Sequence, residues 1–163
     1  MVDEGPANTG VLVEWCLDIT TLEGLPTPIP PPTPVSLPGD AYVSGMSGQS
    51  QMYPLDCESR SAVDWAKHWG KYISESEFFW GLPDTINPET GFVGDVNGTW
   101  GQVPPNDYGV HAEPIADRLR DYGLRAEARK YMRWDDARAE IAAGRPVIVW
   151  ILGTIWPGAP RYY

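Results

Sequence analysis

Cysteine, histidine and basic residues are scarce in this chain of 163 residues. It has two cysteines, two histidines, and 12 lysines and arginines against 22 aspartates and glutamates, which gives a formal net charge of −10. Two cysteines form at most one disulfide bond, which excludes a disulfide-rich scaffold, and with two histidines they lack the spacing of a structural zinc site. Such an acidic chain is poorly suited to bind nucleic-acid phosphates. We therefore expect no metal, no cofactor and no nucleic-acid partner.

Long hydrophobic runs are also absent. The best run extends from Pro146 to Leu152, well short of the roughly 18 residues of a membrane span, and the first residues lack the basic start of a signal peptide. The 17 prolines and 17 glycines exclude coiled coils and helical solenoids. Eight tryptophans and eight tyrosines nevertheless supply enough apolar surface for a globular core.

Proline divides the chain. Residues 26–39 contain seven prolines and predict an extended linker, although a ligand of a proline-binding domain has the same composition. Residues 1–25 are interpreted as a short N-terminal segment, the tail of an upstream module, with one or two strands around Val11. Residues 40–163 are expected to form the folded domain, and every lysine and arginine lies in it, after Cys57.

In the predicted domain, three helices come first along the chain, and the predicted strands follow in its second half. Apolar residues at helical spacing, capping residues and terminal glycines predict four helices, at 58–69, 75–80, 113–122 and 134–143. Ser74 and Glu77 match a capping box for the second helix. Residues 124–131 are expected to be extended and 146–152 to form a buried strand. A loop at 84–110, rich in glycine, proline, asparagine and aspartate, is long enough to suggest a functional role.

Cys57 and Gln51 are the sharpest candidates for chemistry. A cysteine at a helix N-terminus meets the positive end of the helix dipole, which favours the nucleophilic thiolate. A side-chain amide six residues upstream is able to join the backbone N–H of the cysteine as an oxyanion donor. The alternatives are that Cys57 is a small buried residue at a helix start and that Gln51 is a surface amide.

The stretch from Gln51 to Cys57 resembles the catalytic segment of papain-like cysteine peptidases. Gln-x4-Asp-Cys followed by a helix is similar, more narrowly, to the bacteriocin-processing peptidases that remove double-glycine leaders, and to their secreted relatives. The segments at 108–116, 120–124 and 140–149 extend the resemblance. It implies an α+β, papain-like fold, mainly its N-terminal helical half and the first strand of its sheet. It also implies Cys57 as nucleophile, Gln51 in the oxyanion hole, and a peptide or protein substrate.

The resemblance also identifies what is missing. The general-base histidine of that family follows the strand predicted at 146–152, and its aspartate or asparagine partner lies further on. We therefore expect a chain truncated before this histidine and inactive alone, since a Cys–His pair needs its proton acceptor. The proline-rich linker and the secreted relatives imply an extracellular or cell-surface location in a bacterium.

Four further residues are candidates for contacts with substrate. His111 follows the long loop, where it is either structural, a substrate contact or a substitute base, and Trp100, Tyr108 and Trp150 are expected to line a peptide cleft. His68 is expected to have no chemical role. Two other functions remain open: a non-catalytic module that binds peptide or cell wall, and an acyltransferase of the transglutaminase type. The latter normally places its histidine on a strand where 74–80 predicts a helix.

Overall fold

The computed structural model describes residues 9–14, for their backbone, and 36–151. The chain order of the elements in these residues is one strand, three helices, a strand, a helix and a strand. They are β1 (Thr9–Glu14), α1 (Cys57–His68), α2 (Glu75–Trp80), α3 (Ala112–Asp121), β2 (Arg125–Lys130), α4 (Trp134–Ala142) and β3 (Val147–Val149). All four predicted helices are confirmed, and the chain has the mixed helix and strand content that was expected.

The three strands form a parallel sheet in the order β2, β1, β3. The backbone of Val11 lies opposite Glu127 on one side and Val147 on the other. The two edge strands, β2 and β3, run in the same direction, and the connection between them contains α4. Residues 9–14, assigned from the sequence to a separate segment, are therefore the middle strand of a sheet whose edges come from the predicted domain at 40–163. The predicted linker lies mostly outside the described residues, at 26–35.

Helix α1 lies at the centre of the hydrophobic core. Its buried apolar residues are Ala62, Val63, Trp65 and Ala66. Helical spacing also puts Trp69 on this face, but Trp69 is only partly buried, whereas Trp65 is buried in the core. The indole Nε1 of Trp65 donates a hydrogen bond to the carbonyl of Pro146 at 2.9 Å. This bond ties α1 to the start of β3.

The long loop at 84–110 packs onto the core. Phe92, Val96 and Val110 in it are buried with the helices. The amide of Leu55 donates to the carbonyl of Val96 at 3.0 Å, which joins the loop to the segment before α1. The loop is therefore part of the scaffold that carries the residues around Cys57.

Strand β3 is shorter and less buried than predicted. It covers three residues, Val149 is 43% exposed, and Ile151 after it is 50% exposed. The apolar run that predicted a buried strand at 146–152 is thus only half covered by the rest of the described chain.

Candidate functional site

Cys57 is the first residue of α1 and its side chain is exposed. Asp56 before it and Ser59 after it are buried. The backbone therefore holds Cys57 between two anchored neighbours, at the end of a helix with 12 residues. The aligned N–H groups of the first turn favour negative charge at this position. The predicted position at a helix start is confirmed. The other cysteine of the chain, Cys16, lies outside the described residues.

The neighbouring carboxylate opposes ionisation of this thiol. Cys57 Sγ donates a hydrogen bond to Glu58 Oε2 at 3.2 Å. Partial removal from water, together with the negative charge of Glu58, raises the pKa of the Cys57 thiol to about 12. Burial also raises the pKa of Glu58, although hydrogen bonds to its carboxylate act in the opposite direction. The helix dipole is outweighed, and the thiol is protonated at neutral pH.

Asp56 is a second acid at this helix end. Its side chain is 0% exposed, and its carboxyl group lies close to the side chains of Ser59 and Glu75. Burial raises the pKa of Asp56 to about 7, and the nearby Glu75 and Glu58 carboxylates act in the same direction. Asp56 is therefore largely neutral below pH 7, which spares the core a buried charge.

Gln51 directs its amide into its own loop. Its Nε2 donates to the carbonyls of Tyr53 and Pro54, both at 2.7 Å. Since an amide nitrogen has two N–H donors, these two bonds use both of them. The resemblance places this amide in the oxyanion hole. That role requires Gln51 to exchange at least one of these bonds for the substrate oxygen.

His111 stands at the N-cap of α3 and is held by two polar contacts. Its Nδ1 lies 2.9 Å from Glu89 Oε1, and its Nε2 lies 3.0 Å from the hydroxyl of Tyr108. Lys130 Nζ donates to the other Glu89 oxygen at 2.5 Å. Burial opposes ionisation of Glu89, but the bonds from Lys130 and His111 hold its pKa below the usual range. The structure thus joins the predicted candidates His111 and Tyr108.

The segment before α3 links this group to Cys57. The amide of Val110 donates to Glu58 Oε1 at 3.4 Å, and Trp150 Nε1 donates to the carbonyl of Val110 at 2.9 Å. Cys57, Glu58, Val110 and Trp150 are therefore connected through hydrogen bonds and the chain. Trp100 is separate from this group: it is 64% exposed and makes no hydrogen bond or ring contact with the described residues.

Sequence reasoning missed Glu89 and the linking role of Glu58. Nothing in the sequence shows that the Glu58 carboxylate beside the thiol reaches Val110, 52 residues away. Glu89 lies in a polar loop with no motif around it. Its contacts with His111 and Lys130 depend on how the loop folds back, and no local signal in the sequence indicates them.

Other kinds of site find little support in the described residues. Within 36–151, no three histidine, cysteine or acidic side chains are grouped so that they could hold a metal ion. Among the helices in the described part of the chain, none is long and apolar enough to cross a bilayer. A cavity of about 250 Å³ lies along α1, and its lining contains Arg60 and Lys67 but neither Cys57 nor Gln51.

Comparisons of this chain with protein-family models, with curated proteins and with solved structures found no match.

Proposed function

We propose that this is a cysteine peptidase-like domain in which Cys57 attacks the carbonyl of a peptide substrate. The observation that carries the proposal is the exposed Cys57 thiol at the first position of α1, between buried neighbours. The backbone N–H of Cys57 and the amide of Gln51 are the proposed oxyanion donors. The papain-like resemblance of the segment from Gln51 to Cys57 supports the same roles.

In this structure the Cys57 thiol is not in its nucleophilic, deprotonated form. With a thiol pKa of about 12, about one Cys57 in 10⁵ is a thiolate at pH 7. Amide hydrolysis needs a group that accepts the thiol proton and returns it to the leaving amine. The thiol is hydrogen-bonded to a carboxylate, Glu58. We therefore expect the chain alone to be inactive, or nearly so, on ordinary amide bonds.

A substrate with a better leaving group than an amine tests Cys57 as the nucleophile, because its reaction needs no group to return a proton to the leaving amine. A peptidyl thioester carries a leaving group that departs without protonation, so at pH 9 we expect one acyl group to transfer to Cys57. Intact-mass measurement and peptide mapping locate the acyl group. The Cys57→Ser variant is expected to show no adduct at position 57, and Gln51→Ala is expected to acylate about 100-fold more slowly, as for loss of an oxyanion donor. Equal rates in wild type and Gln51→Ala would remove Gln51 from the mechanism.

A non-catalytic peptide-binding module is the second candidate. The observations that favour it are the raised pKa of Cys57 and the engagement of both Gln51 donors. In that case the group formed by Tyr108, His111 and Trp150 recognises a peptide or cell-wall component directly. The Cys57→Ala variant would then bind a peptide library as well as wild type does, whereas Trp150→Ala would bind it more weakly. Trp100→Ala, which changes a residue outside the group, is the matched control.

A further inference from the structure

The Glu58 carboxylate is enclosed by three groups. One oxygen accepts the hydrogen bond from Cys57 Sγ at 3.2 Å, and the other accepts from the amide of Val110 at 3.4 Å. Gly109 closes the third side: a Cβ at this glycine would stand 2.5 Å from Glu58 Oε1. The backbone of Gly109 has φ +118°, a conformation that favours glycine. The absence of a side chain at Gly109 therefore leaves room for the carboxylate beside the thiol.

The charged groups around this carboxylate come from several elements. Asp56 precedes it at the N-cap of α1, and Glu75 at the start of α2 acts on Asp56. His111 at the N-cap of α3 interacts electrostatically with Glu58. Glu89 in the loop contacts His111, and Lys130 at the end of β2 pairs with Glu89. The thiol itself is affected by the two acids next to it in sequence, Glu58 more strongly than Asp56.

We propose that Glu58 is a positioning residue that holds the Cys57 thiol protonated, as a hydrogen-bond donor. Withdrawal of the Glu58 carboxylate then makes the thiol more reactive as a nucleophile. The hydrogen bonds from Cys57 and Val110, together with the room left by the missing side chain of Gly109, give this hold a defined geometry. The role of Cys57 as nucleophile rests on the proposed function, whereas the hold on the thiol does not.

The pH profile of Cys57 alkylation by iodoacetamide tests this proposal on the full chain. Only the thiolate reacts, so the rate reports its fraction. A Cys16→Ser background leaves one reactive cysteine. We expect Glu58→Gln to lower the apparent pKa by at least about one unit and to raise the rate at pH 8 about tenfold or more. Glu113→Gln, which removes a carboxylate paired with Arg120, is expected to leave the profile unchanged.

Two outcomes of this comparison would overturn the proposal. An unchanged profile in Glu58→Gln would mean that the carboxylate does not hold the thiol. A slower reaction in Glu58→Gln would mean that Glu58 accepts the thiol proton and acts as a base, the reverse of the proposed role.

Gly109→Ala provides an independent route to the same result. Its methyl group would displace the Glu58 carboxylate, so we expect faster alkylation at pH 8 with Glu58 still present. Gly123→Ala is the control, because Gly123 also has a positive φ, +80°, but its Cβ would meet no atom within 4 Å. Equal profiles for Gly109→Ala and Gly123→Ala would contradict the proposal even if Glu58→Gln failed to fold.

The alkylation result is separable from peptidase function. If Glu58→Gln reacts faster with iodoacetamide but no variant is acylated by a peptidyl thioester, Glu58 holds the thiol and the proposed function is wrong. If peptidyl acylation occurs and the alkylation profiles coincide, the proposed function survives and the role given to Glu58 is wrong.

Discussion

Asp56 places an acid in the core one residue before the candidate nucleophile. Its pKa in the folded protein is about 7, against roughly 3.9 in an unfolded chain. Between these pH values the folded state binds more protons than the unfolded state, so the free energy of unfolding falls as pH rises. The stabilisation from this group is complete below about pH 4 and is lost above about pH 7.

The Asp56→Asn variant removes this pH dependence. We expect the fall in the free energy of unfolding between pH 4 and pH 8 to be smaller than in wild type, by at most about 4 kcal/mol. Urea unfolding at several pH values measures it. Asp40→Asn, at an exposed position, serves as the control. If the free energy of unfolding changed with pH in the same way in wild type and Asp56→Asn, Asp56 would not be a buried neutral acid.

At the residue scale, the sequence predicts where Cys57 lies but not the state of its thiol. Its position follows from local helix signals. Its protonation depends on which way Glu58 turns, and that is decided by Val110 and Gly109, about 50 residues further along. Gln51 likewise matches a motif, while the use of its amide is set by the carbonyls of its own loop.

At the scale of elements, helices α2 and α3 are joined by a tyrosine. The hydroxyl of Tyr122, at the C-cap of α3, donates to Glu77 Oε1 at 3.0 Å and accepts from Arg118 at 2.9 Å. The Arg118 guanidinium also donates to the backbone carbonyl of Glu77 at 3.3 Å. The Glu77 carboxylate predicted for the capping box is thus used by α3. The other half of the box is present, since Ser74 accepts from the Glu77 amide at 3.5 Å.

Tyr122→Phe removes these hydroxyl bonds and keeps the aromatic ring that stacks on Phe78. We expect the free energy of unfolding to fall by about 1 kcal/mol, the typical net contribution of a hydrogen bond. Denaturant unfolding with both midpoint and slope determined measures this change. The same change at Tyr72, which is 80% exposed, is expected to have no effect. A Tyr122→Phe protein as stable as wild type would mean that the hydroxyl does not join the two helices.

Helices are the part of this fold that local sequence predicts best. Periodic apolar residues and terminal glycines place α1, α3 and α4 within a few residues of their observed bounds. Local sequence does not predict that Trp65 rather than Trp69 fills the core, because the two residues are one turn apart and lie on the same face of the helix. That choice depends on the carbonyl of Pro146, which approaches from 81 residues away.

At the scale of the whole molecule, the sheet depends on a strand far from its neighbours in sequence. β1 lies more than 110 residues before β2, and no local pattern predicts that it separates β2 from β3. The proline-rich segment between β1 and α1 favours the opposite interpretation, two separate units.

Val11→Pro tests whether β1 belongs to the folded unit. Proline removes a backbone donor and occurs in sheets essentially only on edge strands or at bulges, and a buried carbonyl that loses its partner costs about 1–3 kcal/mol. We expect the thermal midpoint to fall by roughly 2 °C or more, measured by circular dichroism. Val11→Ile is expected to leave it nearly unchanged. An unaltered midpoint in Val11→Pro would mean that residues 40–163 fold without this strand.

The most direct test of the central claim, that Cys57 is a nucleophile for peptide substrates, is a comparison of two acyl donors on the wild-type chain. The rate of Cys57 acylation is measured by intact mass with a peptidyl thioester and with an acetyl thioester of the same leaving group. We expect faster acylation by the peptidyl donor, because a peptide site positions the carbonyl at the thiol. Equal rates would show that Cys57 is an ordinary exposed thiol and would contradict the proposed function.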